Sequence, residues 1–338
     1  MALSKIPSAG FQDNVKFRNI IINGDMSIAQ RGTSSTGLTT GGYRTVDRFN
    51  FGIATAGTWT ITQDSTVPTG QGFAKSTKLD CTTANASLSA GSELTFFQKI
   101  EGQNLQYLKK GTSNAESVTL SFWVRSNKTG TYTAEIFDND NSRQISKTYT
   151  ISSADTWEKK TITFAGDTTG ALDNDNAVSF WIFFWLGAGS NYTSGTLNTS
   201  WNSSTTANRV SSSQVNLADS TSNEWYITGV QLEAGQTASE FEFLPYDVNE
   251  QRCMRYFEYA TGANSHAGLY NNSTTTYIGH IFYKVRKRTR PTLSDWTGAS
   301  GITLNNSSSG DRGGTDIMYF TAGAQNKYVI VGKADAEL

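Results

Sequence analysis

Residues 118–125 read VTLSFWVR, and the alternation places Val118, Leu120, Phe122 and Val124 on one side of the run. A period of two is the pattern of a β-strand with one buried face. Comparable short runs recur at 132–137 (YTAEIF), 147–151 (KTYTI), 159–164 (KKTITF), 178–186 (VSFWIFFWL) and 225–232 (WYITGVQL), with polar turn segments such as DNDNSR, SSADTW and GDTTGALDNDN between them. Upstream, residues 19–23, 43–51, 58–62 and 93–100 supply further strand candidates. Helical periodicity is almost absent here, so the pattern predicts an all-β chain built around an antiparallel jelly-roll sandwich.

Charge narrows the partners. In 338 residues, Lys+Arg number 28 against Asp+Glu 29, a net charge of −1, so no global field draws the chain to nucleic acid or an anionic membrane. Aromatics at 12%, with 8 Trp, argue against disorder, because that much apolar bulk can offset the entropy of ordering. Cys81 and Cys253 are the only cysteines and lie far apart, which predicts two reduced thiols and neither a disulfide framework nor a zinc spacing. No apolar stretch suits a secretory signal, and none approaches the ~18 residues of a membrane helix, so neither export nor membrane insertion is expected. The Asn-x-Ser/Thr sequons follow from the abundance of Asn, Ser and Thr.

Two segments break the rhythm of strands and turns. Residues 187–223 form a long Gly, Ser, Asn and Thr insertion containing Tyr192 and Trp201, and a connection of that length is usually functional or ordered by a partner. After Pro245, YDVNEQRCMRYFEYA predicts a short helix with Cys253, Met254 and Phe257 on an apolar stripe. Beyond it, YIGHIFYKVRKR, ITLNN, DIMYFT and KYVIVGKA read as strands of a smaller C-terminal β domain. The expected layout is a docking peptide at 1–16, the sandwich at 17–246 and a β tip at 247–338.

The segments FRNIIINGDMSIAQRGTS, YRTVDRF, NLADSTSNEWYITGVQLEAG, YDVNEQRCMRYFE and the terminal ADAEL, taken in order, resemble tail-fibre-like structural proteins of bacteriophages, especially those infecting cyanobacteria and other marine bacteria. The resemblance runs from about residue 17 onward and is strongest at 223–235. It implies a jelly roll similar to carbohydrate-binding modules, a C-terminal tip, homotrimeric assembly and a place on the virion. The function it implies is a fibre or spike, made in the cytoplasm of the infected bacterium, that attaches the particle to a host surface glycan. Residues 1–16 would dock onto other tail or virion proteins. Two alternatives stay open: a head, neck or tail decoration protein, and a polysaccharide-degrading tailspike.

Catalytic motifs do not support the last alternative, since the chain has only His266 and His280 and lacks a nucleophile elbow, a phosphate loop or a zinc helix. Asp138, Asp140, Asp173 and Asp175 fall in two DNDN stretches. Paired carboxylates could serve glycoside hydrolysis or a structural calcium ion, the one cofactor the sequence leaves room for, although neither stretch continues as an EF-hand loop. The favoured reading is that they cap turns. The basic run 284–290 would place Lys284, Arg286, Arg288 and Arg290 on one face if it continued a strand, ready to grip phosphates or carboxylates, or simply to solvate a sheet edge. Exposed rings offer sugars an apolar face, which nominates Tyr192, Trp201, Tyr270, Tyr277 and Trp296. In VSFWIFFWL, alternation sends Val178, Phe180, Ile182, Phe184 and Leu186 to the core and Trp181, Phe183 and Trp185 to the other face. That second face is expected to be closed by the insertion or by a neighbouring subunit, because open rings there would form a large sticky patch.

Overall fold

The computed structural model describes residues 17–259, 269–271, 277–294, 297–298, 302–304, 317–322, 329–330 and 333–338. Of the strands between 269 and 281 and between 297 and 330, only the backbone is described. His266, Trp296 and residues 1–16 lie outside the described residues.

The alternating runs become strands β1 (Ser34–Leu38), β2 (Gly42–Tyr43), β3 (Phe49–Ala54), β4 (Thr58–Asp64), β5 (Ser76–Thr83), β6 (Glu93–Glu101), β7 (Val118–Ser126), β8 (Gly130–Asp138), β9 (Arg143–Ile151), β10 (Glu158–Phe164), β11 (Val178–Ala188), β12 (Asn202–Ser203) and β13 (Glu224–Ala234). They form a 6-stranded sheet in the order β1-β4-β5-β13-β7-β10 and a 7-stranded sheet in the order β12-β9-β8-β11-β6-β3-β2. Hairpins join β4 to β5 and β8 to β9, while from β5 to β8 and from β9 to β11 successive strands alternate between sheets. This crossing pattern is the jelly roll, and the described residues are all-β apart from short helical turns and one longer helix.

Between the sheets lies one core. Val118, Leu120, Phe122 and Val124 of β7 enter it from one side; Phe180, Ile182, Phe184 and Leu186 of β11 enter from the other, as the period-two reading expects, while Val178, expected with them, is only half-buried because the register shifts between it and Phe180. Phe122 meets Phe184 edge-on at 5.0 Å, and Trp225 of β13 packs on Phe96 at 6.0 Å. Each such ring removes on the order of 150 Å² from water, worth roughly 3 kcal/mol. Both cysteines are buried and unpaired.

Two expected strands turn out otherwise. Residues 19–23 form no strand, because side-chain amides take the backbone partners that a neighbouring strand would have supplied. Asn19 Oδ1 accepts the N–H groups of Ile21 and Leu232, Gln98 bonds both N–H and C=O of Ile22, and the Asn23 amide bonds Ile28 and Asp47. Gly24 then lies so close to β13 that a Cβ would sit 2.0 Å from the Val230 carbonyl oxygen. The 43–51 run is split into β2 and β3 by Arg48, whose φ of 72° breaks the extended path.

The helix spans Tyr246–Met254 and buries Cys253 and Met254, but Phe257 falls in the strand that follows it, not on the helical stripe. Cys253 and Tyr256 pack with Ile22, Ile28 and Leu338. Strands Phe257–Tyr259 and Thr292–Ser294 flank Lys333–Asp335 in a 3-stranded sheet. A 4-stranded sheet (Leu269–Asn271, Tyr277–Phe282, Ile317–Ala322, Ile302–Leu304) and a pair (Thr297–Gly298 with Val329–Ile330) complete the smaller β region. The last residues return to the sandwich: the buried Arg48 pairs with Glu337, and Lys99 Nζ donates to the Leu338 carbonyl at 2.7 Å. Among the described residues, no helix is long and apolar enough to cross a membrane.

Candidate functional site

The outward face of β11 organises the most distinctive surface of the sandwich. Strand β11 sits between β8 and β6, with Phe183 opposite Glu135 on one side and Phe97 on the other. Alternation therefore lines up Trp181, Phe183 and Trp185, and the rings stack in sequence at 5.4 and 5.9 Å, with Phe97 5.3 Å from Trp181. The insertion closes most of this row, as expected. Val210 is fully buried in the outer cluster, and the Tyr192 ring lies 5.1 Å from Trp185. Trp185 is 0% and Phe183 4% exposed, whereas Trp181 remains half-buried.

Arg209 fastens that cover. Its Nε and Nη2 donate to the two carboxylate oxygens of Glu135 at 2.9 and 3.0 Å, while its guanidinium lies over Trp185 at 5.0 Å and Phe183 at 5.1 Å. Glu135 is wholly buried and also accepts the Trp185 indole N–H at 2.8 Å. Burial pushes the Glu135 carboxyl above its ordinary range, against the pull of Arg209. An ion pair made inside an aromatic cluster is costly to open, since parting it strands a charge in low dielectric.

Beside the closed rings a cleft of about 370 Å³ remains open, lined by Trp181, Phe97, Phe183, Asn50, Glu93, Arg209 and the glycines of β2 and β3. Gly52 has no room for a side chain, since a Cβ would lie 2.2 Å from Thr95 Oγ1. The Glu93 carboxylate accepts the hydroxyls of Thr95 at 3.1 Å and Tyr192 at 3.3 Å. An apolar floor, a polar rim and this volume suit an amphipathic small ligand or a short stretch of polymer. A second opening, of about 490 Å³, is lined by Phe17, Tyr107 and residues 233–239; its charged groups, Arg18 and Glu233, face each other at 3.7 Å.

Among the described side chains, the nominated Tyr192 and Trp201 lie in different places. Tyr192 borders the cleft through Glu93 and Trp185. Trp201 lies elsewhere: it stacks on Phe180 at 6.0 Å, donates to the Ala165 carbonyl at 2.7 Å, and packs against the main core. Tyr270 and Tyr277 lie in paired strands whose side chains are outside the described residues, as is Trp296. The face expected of Lys284, Arg286, Arg288 and Arg290 does not form, because the strand ends at Phe282 and none resumes before Thr292. The backbone there is claimed by other partners: the Lys284 N–H by the Glu258 carboxylate, and the Arg288 N–H by the Arg255 carbonyl at 2.9 Å. Lys287 is buried on Glu258 at 2.6 Å, and Arg288 bonds the carbonyls of Ala336, Glu337 and Asn176. Arg286 is exposed and Arg290 half-buried.

The two DNDN loops do meet, since Asp140 accepts the Asp173 N–H at 3.0 Å. Asp138 is buried on Lys110 and accepts from Asn141, and Asp175 accepts the Ala177 N–H, a turn-capping bond. Among the described residues, no group of three or more His, Cys, Asp or Glu side chains is placed to hold a metal ion.

Sequence reasoning missed Glu93, Glu135 and Arg209. One signal was available for Arg209, the only Lys or Arg between Lys160 and Arg252; a lone cation in a polar insertion invites a search for a buried carboxylate.

No protein-family model and no curated protein matches the chain. Solved structures similar to it include the enzymatically active domain of a tailspike protein of bacteriophage CBA120, at 15% identity and a TM-score of 0.34, covering 64% of this chain and 21% of that one. A xylan-binding domain from Paenibacillus barcinonensis is similar at 15% identity and a TM-score of 0.30, covering 55% and 91%. A family 11 carbohydrate-binding module from Clostridium thermocellum, in complex with a mixed-linked tetrasaccharide, is similar at 9% identity and a TM-score of 0.30, covering 61% and 99%. The chain thus spans about a fifth of the tailspike domain's length.

Proposed function

We propose that this protein is a glycan-binding virion protein, a phage fibre or spike whose sandwich holds host surface polysaccharide in the cleft beside Trp181. The observation that carries the binding role is the cleft itself. Its floor is the row of Phe97, Trp181 and Phe183, on which the C–H groups of a pyranose can rest, and its rim of Asn50, Glu93 and glycine backbone bonds hydroxyls. The role proposed for it is binding without catalysis. The phage assignment rests on the ordered motifs, from FRNIIINGDMS to ADAEL. With it go the homotrimer, the docking role of residues 1–16, and the division into sandwich and tip. Three copies of a weak site raise avidity by about 100-fold or more.

Affinity electrophoresis through host surface polysaccharide tests the binding role. Retardation of the wild-type protein, lost in Trp181→Ala, is expected; retardation unchanged by Trp181→Ala would refute the cleft.

A further inference from the structure

We propose that the cleft selects neutral glycans and rejects acidic ones, and that Glu93 makes the distinction; this rests on the glycan-binding reading above. The ionisable side chains lining the cleft are Glu93 and Arg209. Arg209 has already committed its fork, with Nε and Nη2 on the two oxygens of Glu135 and its plane over Phe183 and Trp185. These bonds use the Nε and Nη2 edge and not Nη1, so what weakens its pull on a further carboxylate, sulfate or phosphate is that Glu135 already offsets its charge.

Glu93 is placed differently. Its oxygens accept one hydroxyl each, from Thr95 and Tyr192, and its charge acts on Arg209 without forming the ion pair that Glu135 forms. Arg209 thus faces two carboxylates, Glu135 paired with it and Glu93 at the rim of the cleft, and its bidentate pair is spent on Glu135. Lys99, whose ammonium lies 4.3 Å from the Trp181 ring, is turned to the Leu338 carbonyl at 2.7 Å. Within the basic run, Lys287 and Arg288 are spent on Glu258, Ala336, Glu337 and Asn176.

A carboxylate with spare lone pairs accepts hydrogen bonds from sugar hydroxyls, and these charge-assisted bonds are stronger than neutral ones. The same carboxylate repels a uronate brought into a partly desolvated cleft, where like charges cost most. The ligand chemistry that fits is therefore a neutral pyranose polymer presenting hydroxyls toward Glu93 and a C–H face toward Trp181.

The test uses galactan, mannan and β-glucan, each beside its C6-oxidised uronate form, as immobilised ligands for the full chain, Glu93→Gln and Trp181→Ala. Expected is retention on at least one neutral polymer, weakened about tenfold or more by oxidation of the same polymer. In Glu93→Gln the difference shrinks to within about threefold, and in the wild-type chain it narrows as salt screens the repulsion. Retention on an oxidised polymer equal to or tighter than on its neutral parent, and sensitive to Trp181→Ala, would overturn the neutral-glycan inference while leaving the glycan-binding cleft standing. Retention on no polymer, or retention indifferent to Trp181→Ala, would overturn the binding reading and this inference with it.

Discussion

Replacing Arg209 by alanine tests how the insertion is held over the aromatic row. The substitution leaves Glu135, 0% exposed, with the Trp185 indole N–H as its remaining donor. Removing one partner of a buried pair costs about 3–5 kcal/mol, and for a body of this size each kcal/mol moves the melting temperature by about 2–4 °C, so a fall of about 6–20 °C is expected. The pH dependence has a definite sign. Burial already holds the Glu135 carboxyl above the 4.5 of an ordinary glutamate, so ionising it in the folded state costs stability as pH rises through that window. Without Arg209 the folded value climbs further, and a proton takes the place of the lost cation. The deficit of Arg209→Ala relative to wild type should therefore be largest at pH 7 and above and shrink as pH falls toward 4.5. Thermal melts from pH 5 to pH 8 measure both effects. A Glu135→Leu, Arg209→Met double variant should recover most of the loss, short by about 1 kcal/mol for the orphaned Trp185 N–H. An Arg209→Ala protein that melts within about 2 °C of wild type at pH 7, or whose deficit is flat with pH, would refute the latch.

Gly24→Ala forces a methyl onto the Val230 carbonyl oxygen, 2.0 Å away, and should cost at least about 2 kcal/mol by urea denaturation, because backbone rather than a side-chain tip must move. Arg48→Ala takes from the buried Glu337 carboxylate one of its two cations, leaving Arg31 at 3.3 Å, and removes the cation stacked 3.4 Å over Tyr256; a loss of about 2 kcal/mol is expected, with faster hydrogen exchange in residues 333–338. Asp47 is buried, and its carboxyl is pushed up from 3.8 to about 6, so wild-type stability relative to Asp47→Asn should fall by roughly 3 kcal/mol as pH rises from 4 to 7. The proposed homotrimeric assembly is checked by light scattering, which should return three times the 36.8 kDa of one chain.

Much of the fold was legible because strand alternation is a local property. The one-sided faces of β7 and β11 could be read directly, and Phe122 and Phe184 meet in the core as that reading requires. Failures came where side chains displaced the ladder. Residues 19–23 look like a strand until Asn19, Asn23 and Gln98 take over the backbone bonds, and the run 284–290 looks like one until Glu258 and Arg255 claim its N–H groups. Asn19 and Asn23 act within a few residues, but Gln98 lies 76 residues from Ile22 and Glu258 lies 26 from Lys284, where no local pattern reaches.

The candidate site divides the same way. Sequence by itself determined that Trp181, Phe183 and Trp185 share one face, because the pleat allows nothing else. It also identified residues 187–223 as material to cover that face. Only the tertiary structure decided that Trp185 is sealed and Trp181 left at an open edge, since this depends on where Arg209 comes to rest. Arg209 rests on Glu135, which lies 74 residues away along the chain. Burial makes that pair strong enough to position the loop, and burial is a property of the assembled sheets.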